Sequence, residues 1–158
     1  MQTECPTTRR AELFVRGDLP RPARSRRAAV ESTLTDLRRR GVLDEVETTE
    51  WRKRVPLHGE GECRERELFN EFSVWARERD ARLAPFFSTR ECYSTTTGEC
   101  RTELVLPALC LAVYEDGELA RLAPIAADGR PSSVEDCLTD LAADRRTATE
   151  TTTAGTAD

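Results

Sequence analysis

The side chains best suited to chemistry in this chain are its arginines. Arg24, Arg26 and Arg27 crowd one short stretch, and Arg52, Lys53 and Arg54 run consecutively in another. A guanidinium presents five donors in a planar fork that fits phosphate oxygens and base edges, so both clusters are candidate contacts to a polyanion. Sulfur is the second resource, as Cys5, Cys63, Cys92, Cys100, Cys110 and Cys137, none of them in a CxxC. Cys92 and Cys100 flank the turn-rich segment Ser94–Gly98, and a turn centred near Thr96 sets them directly across a hairpin with Cβ atoms about 4.5–5.5 Å apart. That spacing suits a redox-sensitive pair. Two thiolates do not complete a zinc site, which takes four ligands, so no metal is expected. His58 is the single histidine and stands in a glycine-rich loop, HGEGEC, with no nucleophile beside it. No Walker loop, GxGxxG, HExxH or GxSxG occurs, so neither catalytic residues nor a cofactor are expected.

The charge map is uneven. With 158 residues, 24 basic side chains of which only Lys53 is lysine, and 29 acidic ones, the net charge is −5. Residues 1–57 carry 13 basic and 9 acidic groups, or +4, and residues 58–158 carry 11 and 20, or −9. Two readings fit: a basic face on an acidic body, or arginines that solvate the outer side of one helix and one strand. An acidic, lysine-poor surface also suits cytoplasm at molar salt, where the Debye length falls to about 3 Å. The opening residues lack an apolar signal core, and the longest apolar run, Leu104–Tyr114, contains Pro107 and is too short to span a bilayer. A cytoplasmic location with no membrane partner is the expectation, with free thiols.

Several elements must position these residues. Ala11–Arg16 alternates as a strand, and Gly17, Pro20 and Pro22 then break regular structure. Ser25 is the expected cap of a helix whose stripe is Val30, Leu34 and Leu37 and whose stop is Gly41. Val46–Val55 reads as one strand, with Thr49, Trp51, Lys53 and Val55 on one face. A second helix spans Arg64–Leu83 with Leu68, Phe72, Trp75 and Ala76 inward, widened by Phe69. Phe86–Cys92 with Cys100–Leu106 form one hairpin, and Ala108–Tyr114 with Glu118–Ile125 form another about Asp116–Gly117. Ser132 and Glu135 make a capping box for a last helix carrying Val134, Leu138 and Leu141. The chain therefore reads as a polar leader (1–10), one α/β domain (11–142) and a threonine- and alanine-rich tail (143–158) too poor in apolar residues to fold. The fold class is α/β: a mixed sheet with an N-terminal βαβ unit, a second helix, antiparallel hairpins extending the same sheet, and a final helix.

That order resembles the thioredoxin-like topology. The resemblance implies a ligand site in the loop after the first strand, at Gly17, Asp18, Pro20 and Pro22, but Asp18-Leu19-Pro20-Arg21-Pro22 holds no sulfur where the redox pair would stand. It implies a redox-inactive scaffold that binds a peptide or small ligand. Val30–Leu57 resembles instead the recognition helix and wing of winged helix-turn-helix regulators, through V-x-x-x-L-x-x-L-x-x-x-G-V-L followed by W-R-K-R-V. This alternative fold, a winged helix-turn-helix N-terminal half with a β-rich C-terminal half, implies DNA contacts by Arg24, Arg26, Arg27, Arg52, Lys53 and Arg54. Over residues 11–142 the chain also resembles a small family from halophilic archaea labelled helix-turn-helix domain proteins, without established function, through ELFVRG, PFFSTRE, TGE and LPALCLAVYEDGEL. Together these resemblances imply a non-catalytic regulatory or interaction protein of a halophile cytoplasm, acting in transcription on DNA or a protein partner.

Overall fold

The computed structural model describes residues 8–59 and 61–143. The apolar alternation at the start forms β1 (Arg9–Arg16), which takes Arg9 and Arg10 out of the expected leader. A turn leads to α1 (Arg21–Arg39), then come β2 (Glu45–Trp51), β3 (Arg54–Pro56), α2 (Arg64–Glu78), β4 (Ala81–Arg82) and the hairpin β5 (Ser88–Tyr93) and β6 (Cys100–Val105). After β7 (Leu109–Glu115) and β8 (Glu118–Ala123) follow β9 (Ile125–Ala127) and β10 (Arg130–Ser132). Residues 134–143 form a last helix, α3. The expected tail lies almost wholly outside the described residues.

The main sheet runs β2-β1-β7-β8, with β1 parallel to β2 and antiparallel to β7. Its N-terminal β1-α1-β2 unit is the expected crossover. Ala11, Leu13 and Val15 of β1, with Leu109, Leu111 and Val113 of β7, meet Val30, Leu34 and Leu37 of α1 and Val134, Leu138 and Leu141 of α3. Phe14, Cys110, Ala112 and Tyr114 point the other way, towards Leu68, Phe72 and Ala76 of α2. The centre of β1, Ala11–Val15, is buried at every position because both of its faces are covered. Each fully buried leucine contributes about 2 kcal/mol relative to exposure.

The structure departs from the expected boundaries for identifiable reasons. α1 starts at Arg21 rather than after Ser25, since Pro22 occupies the first turn, where a missing N–H costs nothing. It ends as expected at Gly41, whose φ of +84° permits the reversal that lets Gly41 and Val42 donate to Arg38 and Leu37. The expected single strand 46–55 is two strands in two sheets. Arg52 donates its backbone N–H to Glu65 Oε2, Lys53 accepts from Leu106 N–H, and the chain crosses over so that β3 pairs with β6. Consequently β5 and β6 do not extend the main sheet but form a separate one, ordered β3-β6-β5. Pro107 divides the two because it offers no ladder donor. A third sheet runs β10-β9-β4. α2 ends at Glu78, and Asp80, at φ +55°, turns the chain into β4. The capping box at α3 is one residue later than expected. Ser133 and Asp136 exchange backbone-to-side-chain bonds of 2.9 and 3.1 Å, which frees Glu135 for another partner.

Candidate nucleic-acid interface

β1 and β2 are parallel with Arg16 opposite Trp51, so the first turn of α1 and the segment 52–54 emerge at the same end of the main sheet. They emerge on opposite faces. α1 packs against the layer it shares with α3, whereas Trp51 and Val55 belong to the layer beneath α2. The six basic residues thus flank one end of the sheet without forming one continuous patch.

Their electrostatic states differ. Arg26 makes a two-pronged bond to Glu135, at 2.6 and 2.9 Å, which holds the Glu135 carboxyl below the usual carboxylate range. Arg27 pairs with Glu31 one turn on, at 3.5 Å. Arg52 clasps Glu65 through Nε at 3.0 Å and Nη2 at 3.1 Å, and with the Arg52 backbone N–H this holds the Glu65 carboxyl at about 2. These three guanidiniums are already engaged. Arg24, Lys53 and Arg54 are exposed and form no ion pair among the described residues.

The loop after β1 is built to support its neighbours. Gly17 lies against the Glu50 carboxylate, where an added Cβ would sit 2.8 Å from Oε1. Asp18 steadies the charge of Arg16, whose guanidinium is disfavoured by burial and donates to the Leu106 carbonyl. Pro20 caps α1 and Pro22 lies in its first turn. A pocket of about 230 Å³ does open beside the start of α1, but Arg26, Pro107, Leu109, Pro124, Ser133 and Asp136 line it, and Gly17, Asp18, Pro20 and Pro22 do not.

Sequence reasoning passed over the outer face of the β3-β6-β5 sheet. Leu104 and Val55 point inward, so alternation puts Arg54 of β3, Arg101 and Glu103 of β6, and Arg90 and Cys92 of β5 on the opposite face. The signal was the period of two in STRECY and CRTELV, legible once their shared register is known. Arg90 stands opposite Glu103 and Arg101 opposite Cys92. The same register corrects the cysteine expectation: Cys100 faces Tyr93, one position away from Cys92, so the two sulfurs lie on opposite faces of the hairpin and both are free thiols. Cys92 donates to Glu103 Oε1 at 2.9 Å, which pushes its thiol up. Among the described residues no three histidine, cysteine or acidic side chains group as a metal site would require. His58 is exposed.

Among the described residues no helix is long and apolar enough to cross a membrane. Nor are any two described helices joined by a short turn: α1 runs into β2, and two strands separate it from α2. No curated protein and no solved structure matches the chain. A family model described as a helix-turn-helix domain matches residues 3–146, and the chain belongs to that family.

Proposed function

We propose that this member of the helix-turn-helix domain family is a non-catalytic regulatory protein that acts on DNA or on a DNA-associated partner. The family match over residues 3–146 carries the reading. Arg24, Lys53 and Arg54 at one end of the main sheet, which form no ion pair among the described residues, support it, because such a cation can neutralise a phosphate without first breaking a salt bridge. The engaged Arg26, Arg27 and Arg52 orient their surroundings instead. A lysine-poor, acidic composition fits a halophile cytoplasm. Salt there suppresses phosphate contacts through counterion release, so shape must add to charge.

The test is gel retardation of genomic fragments over a potassium chloride series, with wild type beside an Arg24→Ala, Lys53→Ala, Arg54→Ala variant. Retardation that weakens in the variant supports the reading. Absence of retardation by wild type at every salt level, with no DNA-associated protein retained, overturns it.

A second reading is favoured by the pocket of about 230 Å³ at the same end, which shares Phe86 and Pro131 with an adjoining cleft of about 780 Å³. Open α/β sheets bind ligands at the carboxyl ends of parallel strands. The order β2-β1-β7-β8, with α1 and α3 on one face and α2 on the other, supports this reading because it resembles a thioredoxin-like scaffold without its redox pair. On this reading the protein binds a peptide or small ligand beside Arg26 and Asp136. Chemical-shift changes confined to that pocket on peptide addition would favour it over the first.

A further inference from the structure

We infer that the outer face of the β3-β6-β5 sheet, rather than a helix, is the surface that docks on the phosphate backbone of double-stranded DNA, with the β5–β6 ribbon lying in the major groove. This rests on the DNA-directed reading above and specifies where the contact is made.

The first observation is the shape of the hairpin. β3 pairs only with Glu103–Val105, so beyond that point β5 and β6 continue as a free two-stranded ribbon. Most of β5 and the outer half of β6 are exposed, and Tyr93 near the tip is 68 % exposed. A two-stranded ribbon is one of the two elements that the major groove, about 12 Å wide, admits.

The second is the distribution of charge. Arg54, Arg90 and Arg101 share the outer face, all three exposed, and none is held in an ion pair among the described residues. Arg54 sits opposite Val105, Arg90 opposite Glu103 and Arg101 opposite Cys92, so the three climb the sheet at successive same-face positions. At about 3.4 Å per residue the row spans roughly 13 Å, comparable to the groove, and its ends reach phosphates on both walls. The chain as a whole is acidic, whereas this face sets three guanidiniums against one carboxylate.

The third is Glu103. Its carboxylate feels all three arginines and accepts the Cys92 thiol, and it is the single acid among those outer-face residues. It keeps the guanidiniums from repelling one another in the free protein and opposes phosphate in the complex. The turn beyond them, Ser94 to Gly98, adds hydroxyls at the tip, where Thr97 N–H is held by Ser94 Oγ at 3.2 Å. Hydroxyl donors at that position suit a backbone oxygen or a base edge.

The experiment measures the salt dependence of binding to a duplex fragment retarded by wild type, for Arg90→Ala with Arg101→Ala, for Glu103→Gln, and for Arg39→Ala, an exposed arginine of α1 outside both basic clusters, as the control expected to leave the slope unchanged. Loss of two phosphate contacts lowers the slope of log K against log salt by about 1.8, at about 0.9 per contact. Glu103→Gln keeps the acceptor for Cys92 but removes a charge, and is expected to tighten binding several-fold at low salt. Native far-UV spectra and unchanged melting establish that the variants are folded. Retardation by wild type with neither change in the ribbon variants overturns this inference alone. Absence of retardation by wild type at every salt level overturns this inference, and the DNA-directed reading falls with it when no DNA-associated protein is retained either.

Discussion

Trp51 lies in the core beneath α2, next in sequence to the basic segment 52–54, and its replacement tests the packing argument most sharply. The indole stacks on Phe14 with centroids 4.8 Å apart, meets Phe87 edge-on at 5.9 Å, and donates Nε1–H to the Pro107 carbonyl at 3.1 Å while only 5 % exposed. Trp51→Ala removes a buried aromatic from a site walled by two rings that cannot collapse into it, at a cost of about 4 kcal/mol. For a domain of this size that lowers the melting midpoint by about 8–16 °C. Trp51→Phe retains the stack but leaves the Pro107 carbonyl without its donor, so it should cost about 2 kcal/mol, half as much. Urea unfolding followed by far-UV circular dichroism measures both, since Trp51 is one of only two tryptophans and fluorescence would change with the substitution itself. An alanine variant within about 1 kcal/mol of wild type, or a phenylalanine variant as damaged as the alanine one, refutes the assignment of both ring stacking and the carbonyl bond to this residue.

Other outcomes follow from the charge and thiol environments. Because Arg52 holds the Glu65 carboxyl at about 2 against an ordinary 4.5, the pair stabilises the fold above pH 4.5 and the contribution disappears as pH falls from 4.5 towards 2; Glu65→Gln should flatten acid unfolding curves in that window, and an unchanged curve contradicts the ion pair. Burial pushes the Cys137 thiol up to about 11 and the Cys110 thiol well above its ordinary value, so in a thiol-reagent titration at neutral pH the exposed Cys100 reacts at once while these two react only on unfolding. Mild oxidation should yield no Cys92–Cys100 disulfide within one chain, as mass spectrometry after digestion would detect. The Arg26–Glu135 pair is half exposed, so a double-mutant cycle should return a coupling of about 0.5–1 kcal/mol, and a value near zero would show that α1 and α3 are not tied there.

Which features could be read from residue order follows the range of the interactions involved. The α1 stripe of Val30, Leu34 and Leu37, the Gly41 stop and the Asp116–Gly117 turn depend on neighbours within a few positions, and all are present in the structure. The division of Val46–Val55 into two sheets is set by Glu65 and Leu106, distant in sequence, and no local pattern announces either bond. The capping box moved by a single residue because two serines adjoin at 132 and 133, and Glu135, which a box at Ser132 would have used, is claimed by Arg26. The hairpin register slipped by one for a similar reason. Pairing runs to Tyr93 and Cys100, so the cysteines were shifted to opposite faces. For the interface, the positions of cations were legible but their engagement was not. A run such as Arg52-Lys53-Arg54 looks uniform, yet Arg52 is locked to Glu65 while its two neighbours are free of ion pairs.

That distinction bears on how a family named for a helix-turn-helix can meet DNA through this architecture. α1 buries Val30, Leu34 and Leu37 against the main sheet and, on its outer side, commits Arg26 to Glu135 of α3 and Arg27 to Glu31. Use of either of those two arginines in a groove would mean surrendering its ion pair. The β5–β6 ribbon faces no such conflict, because its arginines stand away from the core on a surface whose inward side is already anchored by Val55, Phe87 and Leu104. Its base is held by that core while its tip stands free, and its arginines are held in no ion pair among the described residues, so a contact there costs no bond already made. On the DNA-directed reading, the helix-and-strand pattern at the start of the chain builds the platform, and the proposed contact lies in the hairpin that the platform projects.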